Sequence, residues 1–500
     1  MSAAAGEGAG VGASRSPRAM TTRLHARSET LEGWGMRDKA QCQVVRPHDS
    51  GQLASIFAEV AATGGTLGLR GAGCSYGDTA LNQGQTILDC TALNRVLDWN
   101  PQTGQITVEP GVTIAQLWQR ILPDGWWPAV VPGTSVVTVG GAASTNVHGK
   151  NNWHVGSFGD WVLSFDLLLP SGQTVTCSRH QQPDLFYAAI GGLGLLGCFT
   201  ALTLQARQVH SGLVREVQTA HGSLEALLAA LEAATAEASE LVAWIDTSAR
   251  GKELGRGLLK AGRDLAAGED PAPARSLSVA GQLAAHGGVP ALLPERLLPW
   301  LARPLTSPAG VFLANRGQWW RGQRGQRGST GRPHLATYVR ANFPLDAIPH
   351  WRETYRPGGL IQHQSFVPRA AAPAVFRQLL QRSHDAGIVP SLAVLKKHRA
   401  DDFLLSCLDD GYSLALDYPL RPRQEAATLT LMRSLNDLLA DSGGRCYFAK
   451  DSTATAEQVR RMYSSEALAR FLVLKKRYDD SGLLATNLYR RTLAPTRERQ

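Results

Sequence analysis

Apolar and polar positions divide this chain into stretches of two different periods. LASIFAEVAATGG, beginning at Leu53, carries its apolar residues at helical spacing, and TILDC, beginning at Thr86, reads as a strand. VVTV before Gly140 is strand-like, and VLSFDLLL (Val162 to Leu169) has the continuous apolar character of a buried strand. DLFYAAI from Asp184 reads as helix and CFTALTLQA from Cys198 as strand. Beyond Gly212 the texture changes. The Ala/Leu-rich helical run SLEALLAALEAATAEASE is followed by the strand-like LVAWIDTS, HLATYVRANF, LIQHQSFVP and YSLALDYPL. The last stretch, RCYFAKDS onward, predicts a strand, a helix capped at Ser452 or Thr453, and a second helix.

Two interruptions break the pattern: GRDLAAGEDPAPARS and RGQWWRGQRGQRGSTGR (Arg316 to Arg332). Both are poor in order-forming residues and are expected to be flexible loops. In the second, Trp319 and Trp320 sit among arginines, a combination suited to a lipid interface with phosphate nearby. No internal repeat is evident.

Composition fits a large enzyme. The chain has 500 residues, 43% hydrophobic and 19% charged, enough for at least two domains. Net charge is +9, which raises nucleic acid, an anionic surface or a phosphorylated ligand. Much of the excess lies in the RGQ stretch and at the C-terminal end, and no RNA-binding module accompanies it, so nucleic acid is not expected. Seven cysteines (Cys42, Cys74, Cys90, Cys177, Cys198, Cys407 and Cys446) are scattered without C-x-x-C spacing. Neither a disulfide framework nor a metal site is suggested, and a reducing compartment is the default. Residues 1–23 lack the apolar core of a signal peptide and read as a disordered extension. The expected location is the cytoplasm, with the inner membrane face as an alternative.

Candidate chemistry concentrates in small-residue segments. Pro132 to Asp160, PGTSVVTVGGAASTNVHGKNNWHVGSFGD, contains Pro132, Gly133, Thr134, Gly140, Gly141, Ser144, Asn146, His148, Gly149 and Lys150. Where the Cβ is missing, backbone N–H groups can approach a flat or phosphorylated ligand. A second such segment, LGLRGAGCSYGDTALN, contains Arg70, Gly71, Ala72, Gly73, Cys74, Ser75 and Tyr76. In a third, Gly192, Gly194 and Gly197 form a literal G-x-G-x-x-G. A dinucleotide fold of the Rossmann type needs strand before the glycines and helix after them. Here the order is inverted. Leu185 to Leu204 also runs 20 residues without a charge, but its four glycines and its fit to the motif below argue against a membrane span.

The three segments together resemble the FAD domains of the p-cresol methylhydroxylase (PCMH) type found in the vanillyl-alcohol oxidase superfamily: RGAGCS as the pyrophosphate loop, PGT with Gly140-Gly141 as the second loop, and DLFYAAIGGLGLLG as the element that closes the adenine and pyrophosphate side. SYGDTALN, VHGKNNWHVGSFGD, VAWIDT, FPLD, IQHQSFVP, VLKK, LALDYP, GGRCYFAKDS and MYSSEALARFLVLKKRYDDSGLLATNLYRR, in this order, are similar to the branch holding the decaprenylphosphoryl-ribose 2-oxidases and the related aldonolactone and alditol oxidases, over about residues 28–492.

The resemblance implies an α+β, two-domain flavoprotein. Residues 24–212 would be the PCMH-type FAD-binding domain, 213–444 a substrate or cap domain with an antiparallel sheet and helices, and 445–500 a segment returning to the FAD domain. It implies oxidation of a secondary alcohol of a sugar, polyol or lipid-linked phosphosugar, with hydride transfer to flavin N5, a base for the hydroxyl proton and positive charge near the reduced ring. FAD binding is implied for Arg70 to Tyr76, Pro132 to Thr134, Gly140, Gly141, Ser144, Asn146, His148, Gly149, Gly192 and Gly197.

Lys450, in AKDS, matches the position whose lysine reaches flavin and substrate; as a lone residue it would read as a lysine snorkelling at a strand end. Tyr76 either packs on the ring and substrate or belongs to the core. His148, with Lys150, matches the substrate face of the flavin, the alternative being a histidine bonded to backbone. Gln362 and Gln364 alternate with His363 on a strand, so both point one way, into a sugar pocket or to solvent. Lys396, in VLKK, is a phosphate contact or a solvated lysine. Cys74 stands where aldonolactone and alditol oxidases carry the histidine that links FAD covalently, so noncovalent FAD is expected, with a thioether at Cys74 as the alternative. Ala415, in LALDYP, stands where the resembling enzymes often have cysteine, so the pocket wall is altered.

An aldonolactone oxidase would share every flavin motif. A lipid-linked epimerase subunit would need a short-chain dehydrogenase partner and a peripheral membrane contact. A nonenzymatic basic binding protein is the alternative outside the enzymes.

Overall fold

The computed structural model describes residues 25–284, 298–324 and 331–495. The expected N-terminal extension lies outside them. Among the described residues, three larger sheets organise the chain, with a two-stranded ribbon of Trp126–Trp127 and Arg207–Gln208 beside them. The first is mixed: Arg27–Glu32 pairs antiparallel with Lys39–Val45, which runs parallel to Thr86–Asp89, and that strand is parallel to Leu67–Arg70. The helix Leu53–Ala62 makes the crossover that parallel pairing requires, burying Leu53, Ile56, Phe57 and Val60. The second sheet is antiparallel, in the order Val96–Asn100, Gln105–Val108, Cys198–Gln205, Val162–Leu168, Thr174–Ser178.

The third sheet has eight strands, all antiparallel, in the order His334–Thr337, Leu213–His221, Gly257–Asp264, Glu240–Ile245, Leu392–His398, Gly411–Pro419, Leu360–Pro368, Arg445–Cys446. Helices Leu224–Ala234, Ala372–Asp385 and Glu425–Asp441 pack on one face, and their buried leucines continue the main core. The opposite face meets the Gly-rich segments. Coverage on both faces explains why Leu360–Pro368 is buried almost throughout, although Gln362, His363 and Gln364 are polar.

The chain then returns to the first sheet. Helix Ala456–Met462 starts in a capping box at Thr455, two residues beyond the latest cap read from the sequence, and Ser465–Tyr478 follows. Leu67 donates its N–H to the Leu483 carbonyl at 2.7 Å, and Arg490 donates to Asn82 Oδ1 and Thr66 Oγ1, both at 2.8 Å. The first sheet is therefore closed by residues more than 400 positions downstream.

Four expected segments differ. VVTV is not a strand, because Thr138 accepts a hydrogen bond from the Gly141 N–H and caps the helix Val139–Ser144. HLATYVRANF divides into the strand His334–Thr337 and the helix Tyr338–Asn342, again through a threonine cap, Thr337. The RGQ stretch is not a loop as far as Arg324: it is the second half of the helix Pro308–Arg324, held by buried Val311, Asn315 and Trp319 at four-residue spacing. Residues 325–330 lie outside the described residues. GRDLAAGEDPAPARS begins in the strand Gly257–Asp264 and ends in the short helix Pro273–Ser276. No helix of the described residues is long and apolar enough to cross a membrane.

Candidate active site

The Gly-rich segments and the free face of the eight-stranded sheet enclose one cavity of about 560 Å³. Its first half is backbone. The Arg70–Tyr76 loop leaves the strand Leu67–Arg70, and Gly73, at φ +69°, turns it where a Cβ would lie 2.6 Å from the Arg70 guanidinium carbon. Arg70 lines the cavity, but its donors go to the Ala80 and Glu32 carbonyls at 3.2 and 3.0 Å and brace the loop. Opposite, a Cβ on Gly140 would meet Pro110 Cβ at 2.6 Å, so the helix lies directly against that chain. Pro132, Gly133, Thr134, Gly140, Gly141 and Ser144 all line the cavity, and nothing stands within 4 Å of where a Gly133 Cβ would be.

Four of the expected cofactor contacts are elsewhere. Asn146 is buried as a brace, accepting from the Gly159 N–H at 2.9 Å and donating to Asp401 at 2.8 Å. Gly149 is packed against the Asn151 side chain and the Val131 carbonyl, Gly192 against the Ala188 carbonyl and Ala189, and Gly197 against the Leu168 carbonyl. These glycines serve close packing inside the protein. Leu193 and Gly194 line the cavity in place of Gly192 and Gly197.

The second half is a floor of side chains from adjacent strands. Strand register aligns Gln362 with Asp417 and Leu392, Gln364 with Ala415, Val394 and Trp244, and Ser413 with Lys396. Because alternate residues share a face, all of these line the cavity together. Gln362 donates to the buried Asp417 carboxylate.

A continuous hydrogen-bond chain fixes the histidines. Asn152 Oδ1 can only accept, so His398 Nδ1 donates to it at 3.0 Å, and neutral His398 takes the Ser413 hydroxyl proton at Nε2 at 2.7 Å. The Gln364 amide nitrogen then donates both to Ser413 Oγ at 3.3 Å and to His148 Nε2 at 3.1 Å. Burial, with Lys396 nearby, pushes both imidazoles well below the usual histidine range, so both are neutral.

Lys450 lies on the return segment, which is sewn to the first loop. Tyr76 donates its N–H to the Ala449 carbonyl at 2.8 Å, and Thr79 Oγ1 donates to the Phe448 carbonyl at 2.8 Å. Lys150 donates to the Ala341 carbonyl and is lowered by burial, with Glu240 opposing. Lys396 has no hydrogen-bond or ion-pair partner among the described residues; burial first, then Lys150 and Lys450, bring it down to about 7. Burial also lowers Lys450 and raises Asp417, each opposing the other's shift.

The structure thus gathers Arg70 to Tyr76, Pro132 to Thr134, Gly140, Gly141, Ser144, His148, Lys150, Gln362, Gln364, Lys396, Ala415 and Lys450 on one cavity. The sequence reading missed Asp417, Ser413 and His398. The first two follow from the period of two that links them to Ala415; His398 stands two positions from Lys396 by the same rule.

A thin backbone wall with room at Gly133, facing a polar, cationic floor, fits a flat, phosphorylated cofactor held against a second ligand. These features define a two-domain flavoprotein oxidoreductase. The FAD binding domain family matches residues 42–178, and the D-arabinono-1,4-lactone oxidase family matches residues 366–492. The chain belongs to the FAD-dependent oxidoreductases with a PCMH-type FAD-binding domain, acts on CH–OH groups and uses FAD. It is 29% identical to decaprenylphosphoryl-beta-D-ribose oxidase of Mycolicibacterium smegmatis over 94% of this chain and 99% of that one. An uncharacterized protein of Streptomyces coelicolor is 31% identical over 76% of this chain and 99% of its own length. D-arabinono-1,4-lactone oxidase of Yarrowia lipolytica is 28% identical over about a third of each chain.

Proposed function

We propose that this protein oxidises a secondary alcohol of a lipid-linked phosphosugar, as a decaprenylphosphoryl-ribose oxidase-like enzyme. One observation carries the reading: Lys150, Lys396 and Lys450 converge on a cavity whose lining holds a single carboxylate, Asp417. Glu240 opposes Lys150 and Asp417 opposes Lys450, and a neutral lactone gives the remaining amine, Lys396, nothing to neutralise. A phosphorylated sugar does, and unpartnered Lys396 is the phosphate contact.

When bound, FAD accepts the hydride from the carbinol carbon. The chain supplies the rest. Gln362 and Gln364 orient the sugar hydroxyls, and neutral His148 is the base for the hydroxyl proton once the Gln364 amide, which occupies its Nε2 lone pair, turns to the substrate. Lys450 presents positive charge to the ring as it gains electrons. Tyr76, its phenol kept neutral by burial, packs beneath that ammonium. FAD is held noncovalently: burial raises the Cys74 thiol to about 11, leaving little thiolate to form a thioether. A keto product of this kind is a substrate for reduction by a short-chain dehydrogenase, and the lipid tail brings the protein to the inner membrane face from the cytoplasm.

The test is anaerobic flavin bleaching with a phosphoribosyl lipid against arabinono- and gulono-lactones. Bleaching by the phosphorylated substrate is expected. Bleaching by the lactones alone would assign the protein to the aldonolactone oxidases, and a colourless protein that FAD cannot reconstitute would leave only a binding role.

A further inference from the structure

Leu298–Arg324 is built from the short helices Leu298–Ala302 and Arg303–Thr306 and the long helix Pro308–Arg324. Its sequence contains Arg303, Arg316, Arg321 and Arg324 and no acidic residue. Among the described residues, none of these arginines pairs with a carboxylate. Of the fourteen exposed large hydrophobic residues among the described ones, six lie here: Trp300, Leu301, Leu305, Phe312, Leu313 and Trp320, from 47% to 68% exposed.

The long helix has two unlike faces. One is bolted to the protein: Asn315 Nδ2 donates to Thr247 Oγ1 at 2.8 Å, and the expected interfacial Trp319 is instead buried under the Arg256 guanidinium, 4.9 Å from the ring centre. The other carries Phe312, Arg316, Trp320 and Arg324 at four-residue spacing, so they form one stripe. Each cation covers the ring before it: Arg316 lies 6.0 Å from the Phe312 centroid, Arg324 lies 3.3 Å from Trp320, and nearby Arg303 lies 5.8 Å from Trp300. Gln318, two positions from both Arg316 and Trp320 and so on the far side of the helix from the stripe, lines the cavity, and exposed Ile348 follows the lining residues Pro344 and Leu345.

We propose that Leu298–Arg324 docks this protein on the surface of a bilayer containing anionic phospholipid. Trp300, Leu301, Leu313 and Trp320 enter the interface and the arginines meet lipid phosphates, the arrangement of an interfacial amphipathic helix. Docked so, the helix that lines the cavity through Gln318 rests its other face on the lipid, and a tailed substrate presents its sugar to the cavity while its chain stays in the membrane. This deepens the proposed function and rests on its lipid-linked substrate.

Flotation of the FAD-loaded protein with phosphatidylcholine vesicles, with and without phosphatidylglycerol, tests it. Wild type floats with the anionic vesicles. Arg316→Gln/Arg324→Gln and Leu301→Asp/Leu313→Asp each weaken that binding about tenfold or more, with flavin content and thermal midpoint unchanged as the check on folding. Absence of wild-type flotation, or variants that float equally well, overturns the proposal. So does a self-association in sedimentation velocity that Leu301→Asp/Leu313→Asp abolishes while vesicles stay unbound, which would make the patch an interface between copies. The assay contains no substrate. A protein that floats but is not bleached by detergent-dispersed phosphoribosyl lipid defeats the substrate reading alone, and one that is bleached but does not float defeats the docking alone.

Discussion

The ammonium of Lys450 lies 3.8 Å from the centre of the Tyr76 ring. The two residues come from opposite ends of the chain and meet because the Tyr76 N–H is bonded to the Ala449 carbonyl. A lysine stacked on an aromatic face keeps its charge in place while one side stays open to a ligand. Lys450→Ala is expected to retain FAD and to lose at least about tenfold in the rate of flavin reduction, equivalent to roughly 1.4 kcal/mol of transition-state stabilisation. Stopped-flow bleaching measures it, and wild-type kinetics in the variant would assign Lys450 a surface role.

Lys396 gives a pH dependence whose sign is fixed by its recess. In the folded protein it is lowered from 10.5 to about 7, by burial first and then by Lys150 and Lys450. The charge that meets phosphate is therefore present below pH 7 and fades above it. KM for a phosphorylated substrate should rise as pH passes through about 7, and Lys396→Ala should raise KM and flatten that rise. The same shift makes the substrate-free protein gain stability between about pH 7 and 10.5, where the unfolded chain still holds the proton. A KM profile without a break near 7 would remove Lys396 from phosphate binding.

How legible this was depended on whether a residue's partner was near in sequence. The strand LIQHQSFVP was read with the bounds Leu360–Pro368, because its apolar character is continuous and its ends are marked. The direction of Gln362 and Gln364 was not legible, since it depends on which face the helix Glu425–Asp441 covers. The RGQ stretch taken from Arg316 reads as a loop, but the anchors Val311 and Asn315 stand before it and carry the helix through glycines that alone would favour one. Asn146, Gly149, Gly192 and Gly197 were assigned to the cofactor by motif, but a motif does not say which of its small residues face the ligand and which let two chains pack. Asp417 was missed although it stands two positions from Ala415, where the period of two already pointed.

Cys74 tests how the flavin is held. Its thiol borders the cavity, and burial raises it to about 11, against a smaller opposing pull from Lys450, Arg352 and Arg70. At neutral pH the group is a thiol and a weak nucleophile. Acid precipitation is expected to release intact FAD from the wild type, and Cys74→Ser should match its flavin content. Flavin retained on the wild-type peptide and released from Cys74→Ser would establish a thioether.

Arg491 secures the whole arrangement from the far end of the chain. Its guanidinium donates to both oxygens of Asp78 at 2.7 and 3.0 Å and to Asp451 at 2.8 Å. It thereby joins the segment after the Arg70–Tyr76 loop to the residue beside Lys450. Burial would raise the Asp451 carboxyl, but Arg491 and the N–H groups of Thr453 and Ala454 hold it below 3.8, so its contribution to stability is present above pH 3.8 and is lost as pH falls through the lowered value. Arg491→Ala removes the cation and leaves two carboxylates together, a loss on the order of 3 kcal/mol for breaking a buried pair. Without its partner Asp451 becomes a buried carboxyl with a raised value, so the sign of its linkage reverses and the variant is penalised most where that carboxyl must ionise. The thermal midpoint of Arg491→Ala should therefore lie further below wild type at pH 7 than at pH 4, with faster loss of FAD at pH 7. A deficit independent of pH would mean that Arg491 acts by packing alone, and an unchanged midpoint would show that the return segment is held without it.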